Sequence, residues 1–431
     1  MISESFSVNE KGHLAIGGAD ALQLAAEYGT PLYVMDEDAI RRTCQSYRAS
    51  IERFYEGRGL VLYASKAFCC KEIYRLVASE GLGADVVSGG ELYTALQAGF
   101  PVEKIYFHGN NKTVDELCYA AENGVGAIVV DNLTELQCLN GLLERMDKHQ
   151  NILLRIKPGV DAHTHSFIRT GQIDSKFGFA LETGEAMAAV RAAAALPRLR
   201  LKGLHCHIGS QIFDTEPFCH AARIMIRFMG DIRRETGLSL GVLNLGGGFG
   251  IRYVGEDDPA PYESYMQQVS AAVHESCKEQ EFPIPEILIE PGRSIVGSAG
   301  ATLYTVGALK EIPGVRTYLS VDGGMTDNPR YALYGSKYEA LVCARAGEKP
   351  TKTVTIAGKC CESGDLLAEG ALIQECAPGD ILAVLATGAY NYSMASNYNR
   401  IPRPPVVFVR GGQPRLAVRR ESYADLVRND L

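Results

Sequence analysis

The stretch GLVLYASKAFCCKEIYRLVASE, Gly59 to Glu80, holds one complete strand-and-helix unit with a single basic side chain at its seam. GLVLYAS is a short, nearly continuous apolar run, the pattern of a strand buried on both faces. KEIYRLVASE, Lys71 to Glu80, carries its apolar residues at helical spacing. Lys66 stands between them, where the apolar run ends and the helix is about to begin.

The same rhythm extends outward from about residue 59 to residue 293. Apolar runs recur as GLVLYAS, GADVVS, KIYFHG, GAIVVD, NILLRIKP, LKGLHCHIG, VLNLGGG and EILIEPGR. Helically spaced segments separate them, among them GELYTALQAG (Gly90 to Gly99), TVDELCYAAEN (Thr113 to Asn123) and LTELQCLNGLLERM (Leu133 to Met146). Such strands, alternating with helices, predict a parallel sheet covered on its outer face, and eight units are the number that closes a (β/α)8 barrel. An open, doubly wound sheet is the competing arrangement with the same rhythm.

After Gly297 the pattern changes to ATLYTVGALKEI, VRTYLSVDGG, KPTKTVTIAGK, GDILAVLATGAY and PPVVFVRGGQPRLAVRR, strand-like runs separated by Gly, Pro and Asp turns. The expected fold class is therefore α/β, a TIM-type barrel over residues 35–285 with a second, mainly β domain formed by 1–34 and 286–431. The early segment joins the β domain through its Gly17-Gly18 turn and the strand-like PLYVMD at Pro31.

The 431 residues carry a net charge of -8 and show no clustered basic surface, which argues against nucleic-acid or anionic-membrane partners. The opening MISESFSVNEKGH lacks a basic segment followed by an apolar one, and no run is long enough to span a bilayer. The 12 cysteines are scattered, with adjacent pairs Cys69-Cys70 and Cys360-Cys361 and no C-x-x-C spacing, as suits a reducing compartment. A soluble, cytoplasmic protein is expected.

A barrel places its chemistry at the carboxyl ends of its strands. There the sequence offers Lys66, Ser88, His108, Asp131, Arg155 with Lys157, His207, the run Gly246-Gly247-Gly248, and Glu290 with Arg293. The turn NLGGGFG, Asn244 to Gly250, follows the seventh strand, where barrels bind phosphate through backbone N–H groups; the plain alternative is a tight turn. It is not a dinucleotide fingerprint, since it lies far from a first strand. A phosphate-bearing cofactor would explain it, and pyridoxal phosphate also needs a lysine, which gives Lys66 a role. The rival is a metal-dependent barrel hydrolase: His205 and His207 on one strand would point the same way, with His108 and Asp131 as further ligands. DAHTHS, with His163 and His165, reads as a loop rather than a ligand cluster.

YASKAF, HCHIGSQ, NLGGGFG, EPGR, CESGD and GAY, in this order along essentially the whole chain, resemble the motif set of the pyridoxal-phosphate decarboxylases that share the alanine-racemase-type barrel. TGQIDSKFGF and NPRYALYG resemble the branch acting on meso-diaminopimelate more than the ornithine or arginine decarboxylases. The resemblance implies the cofactor pyridoxal 5'-phosphate and decarboxylation of meso-2,6-diaminopimelate to L-lysine and carbon dioxide, the last step of lysine biosynthesis. It implies that Lys66 forms the covalent link to the cofactor, Glu290 pairs with its ring nitrogen and His207 stacks on the ring. Ser210, Gly247, Gly248, Pro291, Gly292, Arg293 and Tyr390 would line the remaining cofactor contacts. Arg293, Arg330, Tyr334, Glu362 and Tyr390 would bind the substrate, Cys361 would act as general acid from the partner subunit, and a homodimer with shared sites follows. No metal is implied. The alternatives are a related decarboxylase of ornithine, arginine or a carboxylated polyamine, a barrel amino-acid racemase, and the metal hydrolase.

Overall fold

The computed structural model describes residues 2–160 and 175–431; His163, His165 and the first five residues of TGQIDSKFGF lie outside the described residues. The chain divides into a barrel unit, Thr43–Gly250 with Pro259–Gly292, and a β unit, Met1–Arg42 with Ile251–Asp258 and Arg293–Leu431. These limits differ from the expected 35–285. Leu32–Asp36 is paired inside the β unit, and the last barrel strand, Glu286–Ile289, is paired inside the barrel.

The barrel strands are β1 (Gly59–Ala64), β2 (Gly83–Val86), β3 (Ile105–Phe107), β4 (Ala127–Val130), β5 (Gln150–Lys157), β6 (Leu199–His205), β7 (Val242–Asn244) and β8 (Glu286–Ile289). Each pairs in parallel with the next, and β8 returns to β1 with Ile289 opposite Val61, so the sheet closes. The open-sheet alternative is excluded by that last pairing. Leu62, Val129, Leu153 and Leu288, from β1, β4, β5 and β8, pack as one buried cluster. Removing such side chains from water is the main favourable term in folding.

The helices begin where the sequence supplies caps. Thr113 and Glu116 form a reciprocal capping box at Val114–Asn123, and the Asn132 side chain accepts from Glu135 N at Leu133–Met146. Ser88, a candidate for chemistry by its position after β2, is the N-cap of Gly89–Gln97 and accepts from Glu91 N.

In the β unit, Phe6–Val8, Leu14–Ile16 and Ala19–Asp20 form a small antiparallel sheet turning at Gly17 and Gly18, both at positive φ. A larger sheet is centred on Gly300–Ile312, which pairs with Leu32–Asp36, Arg316–Val321 and Ile381–Leu385. Two of its strands were not anticipated. Ala340–Val342 is too short to show a period, and Leu366–Ile373 is interrupted by Glu369-Gly370, where Gly370 takes positive φ. Ile251 and Tyr253, immediately beyond the glycine turn, are buried in the core of this unit and not of the barrel.

Candidate active site

Three barrel strands deliver side chains to a buried carboxylate that follows a fourth. Glu290 follows β8, His108 follows β3, and His205 and Asn244 are the last residues of β6 and β7. Asn244 Nδ2 donates to Glu290 Oε1 at 2.6 Å, and His205 Nε2 lies 3.2 Å from Oε2. His108 Nε2 is 2.9 Å from Oε1. Burial alone would push the Glu290 carboxyl up; the two imidazoles outweigh it and hold the group well below the usual carboxylate range. Burial pushes His205 down to about 4, so the ring is neutral and donates from Nε2. Its Nδ1 is buried with no partner among the described residues.

Lys66, itself exposed, sits directly after β1 on a one-turn 3-10 helix, Ser65–Ala67, whose other two residues are buried. Register brings Ala64 opposite Asp85 of β2, and the charge of Lys66 acts on both Asp85 and His207. Asp85 is 1% exposed and its Oδ1 has no partner among the described residues. Burial raises its carboxyl, with His108 and Lys66 pulling the other way. His207 is half-buried, and its Nδ1 accepts from Gly247 N at 3.3 Å. Burial, followed by Lys66 and Arg155, drives it well below the ordinary histidine value, so it is a neutral ring. Arg155 of β5 lies 4.0 Å from Asp131 and 4.2 Å over the ring of Phe177.

The glycine turn is stitched to its neighbours through the backbone. Glu290 N donates to Gly246 O at 2.8 Å, and Ile212 N donates to Gly248 O at 3.0 Å. A Cβ on Gly247 would stand 2.0 Å from the Glu290 carbonyl oxygen, so no other residue fits. Gly246 and Gly248 take φ of +69° and +118°, which side chains rarely adopt. Ser210 stands half-buried, two residues before the Ile212 that bonds this turn. Pro291 O accepts from Ala64 N at 3.2 Å, which sews the EPG segment to the end of β1 next to Lys66.

In the β unit, Arg293 and Arg330 are both buried and share aromatic neighbours. Their guanidinium carbons lie 4.7 and 5.5 Å from the centroid of Tyr390, and Arg330 is 5.6 Å from Tyr334. Tyr390 holds φ +61°, a conformation rare for an aromatic residue. Cys361 and Glu362 lie on a separate exposed turn, where Cys361 N donates to Asn399 Oδ1 at 2.8 Å and Cys360 N donates to Asp365 Oδ2 at 2.7 Å.

The family model described as the pyridoxal-binding domain of pyridoxal-dependent decarboxylases matches residues 37–297. Bacillus subtilis diaminopimelate decarboxylase is 53% identical over 98% of this chain and 96% of its own. The chain belongs to the diaminopimelate decarboxylase family of pyridoxal-dependent decarboxylases. The relative from Halalkalibacterium halodurans is also 53% identical, over 98% of this chain and 96% of its own. The crystal structure of the M. jannaschii diaminopimelate decarboxylase in complex with L-lysine superposes with a TM-score of 0.91 at 36% identity, covering 99% of this chain and 98% of that one.

The donors at the barrel rim fit the cofactor of this decarboxylase family. A carboxylate held ionised, a neutral half-buried imidazole, a lysine at the mouth and a glycine turn are the partners that a pyridinium ring, its face, an aldehyde and a phosphate require. Of the ligands expected for a metal hydrolase, His108 and His205 come together with Glu290 among the described residues, whereas His207 and Asp131 are not in that group. Two residues escaped the sequence reading. Asp85 lay inside the short strand GADV, where an acid within an apolar run was the available signal. Tyr253 lay in a segment read as part of the barrel, and nothing in its immediate neighbours marks it.

Proposed function

We propose that the carboxyl rim of the barrel, anchored by Lys66, is where this chain decarboxylates meso-2,6-diaminopimelate to L-lysine and carbon dioxide. The observation that carries the reading is a buried carboxylate, Glu290, kept ionised at the end of β8, while Lys66 leaves the adjoining β1. Pyridoxal phosphate, when bound, supplies an electron sink for the bonds of the substrate α-carbon.

Each residue then has a task set by its chemistry. Lys66 presents the amine that holds the cofactor. Glu290 accepts a hydrogen bond from the ring nitrogen and keeps the proton on it. His207 packs its neutral ring on the cofactor face, Gly247, whose N–H is taken by His207, holds the turn against Glu290, and Gly248 and Ser210 present N–H and O–H donors to the phosphate, with Pro291 and Gly292 fixing that wall. Arg293 and Arg330 bind the distal carboxylate, since a planar guanidinium can donate two parallel hydrogen bonds. Glu362 takes the distal ammonium, and Tyr334 and Tyr390 orient the substrate. Cys361 returns a proton to the α-carbon after carbon dioxide leaves.

The relatives' names and the lysine-bound M. jannaschii structure support this substrate and product over the ornithine and arginine alternatives. A cytoplasmic homodimer in which Cys361 and Glu362 serve the partner's site accounts for their exposure on the single chain. Among the described residues no helix is long and apolar enough to cross a membrane.

The test is direct. Borohydride reduction of the holoprotein should abolish its visible absorption and leave the reduced cofactor covalently on Lys66, and Lys66→Ala should be colourless and inactive. Turnover by Lys66→Ala would sink the assignment. Mixing Lys66→Ala with Cys361→Ala subunits should restore part of the activity if sites are shared; no recovery would count against a shared site.

A further inference from the structure

We infer that Tyr253 is a specificity-determining residue, which sets the guanidinium groups of Arg293 and Arg330 to receive a distal carboxylate. The inference rests on the assignment of those arginines to the far end of the substrate. Arg293 Nη1 donates to the Tyr253 hydroxyl at 2.5 Å, and its Cζ lies 5.7 Å from the ring centroid. Arg330 Cζ lies 5.8 Å from the same centroid. One tyrosine, 7% exposed, thus faces both cations, with its hydroxyl on one and its ring against each. Its own position is fixed by an edge-to-face contact with Tyr338, centroids 5.3 Å apart.

The chemistry of these neighbours matters as much as their geometry. A hydroxyl orients a guanidinium without cancelling its charge, as a carboxylate would. Burial pushes the Tyr338 phenol up to about 12, so it stays neutral. Arg330 is 8% exposed, its Nη2 donates to Ser336 Oγ at 3.2 Å, and its Nε is buried with no partner. No carboxylate of the described residues lies within 4.0 Å of it. A buried cation with only neutral protein partners is costly until an anion arrives. The same charge repels an ammonium, so the arrangement selects a second carboxylate and rejects a plain diamine.

The experiment uses the holoenzyme, with pimelate as a seven-carbon dicarboxylate probe and 1,5-diaminopentane as the diamine. Tyr253→Phe keeps the ring and removes the hydroxyl. The KM for meso-diaminopimelate and the Ki of pimelate should each rise roughly tenfold, as expected when a hydrogen bond to a charged group is lost. The kcat, the visible absorption of the bound cofactor and the Ki of the diamine should stay within about twofold. An unchanged pimelate Ki overturns the inference, and so does an equal weakening of both inhibitors. If Tyr253→Phe does not fold, Tyr338→Leu, which removes the ring that holds Tyr253 edge-to-face, carries the same expectation and the same refutation. Failure of the underlying assignment looks different: Arg330→Ala would then leave the wild-type affinity for pimelate intact.

Discussion

Replacing Gly247 by alanine should disable the site while leaving most of the fold in place. The added Cβ would stand 2.0 Å from the carbonyl oxygen of Glu290, whereas ordinary contact begins at 3.4 Å. The difference, about 1.4 Å, has to be absorbed by two backbones, because no flexible side chain intervenes. Overpacking of this kind costs roughly 1–3 kcal/mol of stability. The functional cost is larger, since the group displaced is the residue whose carboxylate Asn244 and His205 hold in place. A misplacement of about 1 Å in a reacting constellation costs on the order of a hundredfold in rate. Steady-state kcat/KM, the visible absorption of bound cofactor and the urea midpoint measure the three quantities together. Gly241→Ala is the control: it precedes β7, has an ordinary φ, and its Cβ would meet nothing within 4 Å. That variant should be neutral or slightly stabilising. A Gly247→Ala protein whose kcat/KM lay within about threefold of wild type would refute the reasoning.

Three further outcomes can be checked. His205 has its pKa near 4 in the folded chain against 6.5 unfolded, so the unfolded state binds the extra proton and stability falls as pH drops through that window. The gap in unfolding free energy between wild type and His205→Gln should therefore shrink by about 3 kcal/mol from pH 7 to 4, and a constant gap would contradict this. Lys112 Nζ, almost fully buried, donates to Glu135 Oε1 at 2.7 Å and to the carbonyls of Gly109 and Val129. Lys112→Met should cost roughly 3–5 kcal/mol, much of it recovered in Lys112→Met with Glu135→Leu, whereas a single-variant loss under about 1 kcal/mol would show the pair to be unimportant. Asn399 takes φ +53° and accepts from the Cys361 N–H. Asn399→Gly relieves that conformation but removes the acceptor that holds the Cys361 turn, so it should lower kcat severalfold where Asn399→Asp, which keeps an acceptor, does not; equal kcat in both would assign Asn399 to the turn alone.

The barrel was legible because its strands are apolar on both faces and therefore continuous in sequence, and because each ends abruptly at a polar residue. Lys66, His207, Glu290 and the glycine turn were visible for that reason. What stayed hidden is what depends on pairing across distance. Nothing near His108 in sequence announces that it will face Glu290, and Ser88 looked like the others although it caps a helix. Tyr253 could not be placed from pattern, because its segment continues from the barrel's glycine turn but is buried in the core of the other unit. The strand Leu366–Ile373 was lost to a glycine that breaks its period.

The pairing of β8 with β1 fixes when this protein can first become an enzyme. During synthesis the Gly59–Ala64 edge waits, its backbone groups unclaimed, until Ile289 has emerged to seal it against Val61. An exposed edge of this kind invites pairing with other chains, so the nascent polypeptide is most prone to aggregate over that interval. The final stave also brings in Glu290 one residue later, so closure of the ring and arrival of the ionised acid are a single event. A ribosome stalled before that point releases a fragment with neither.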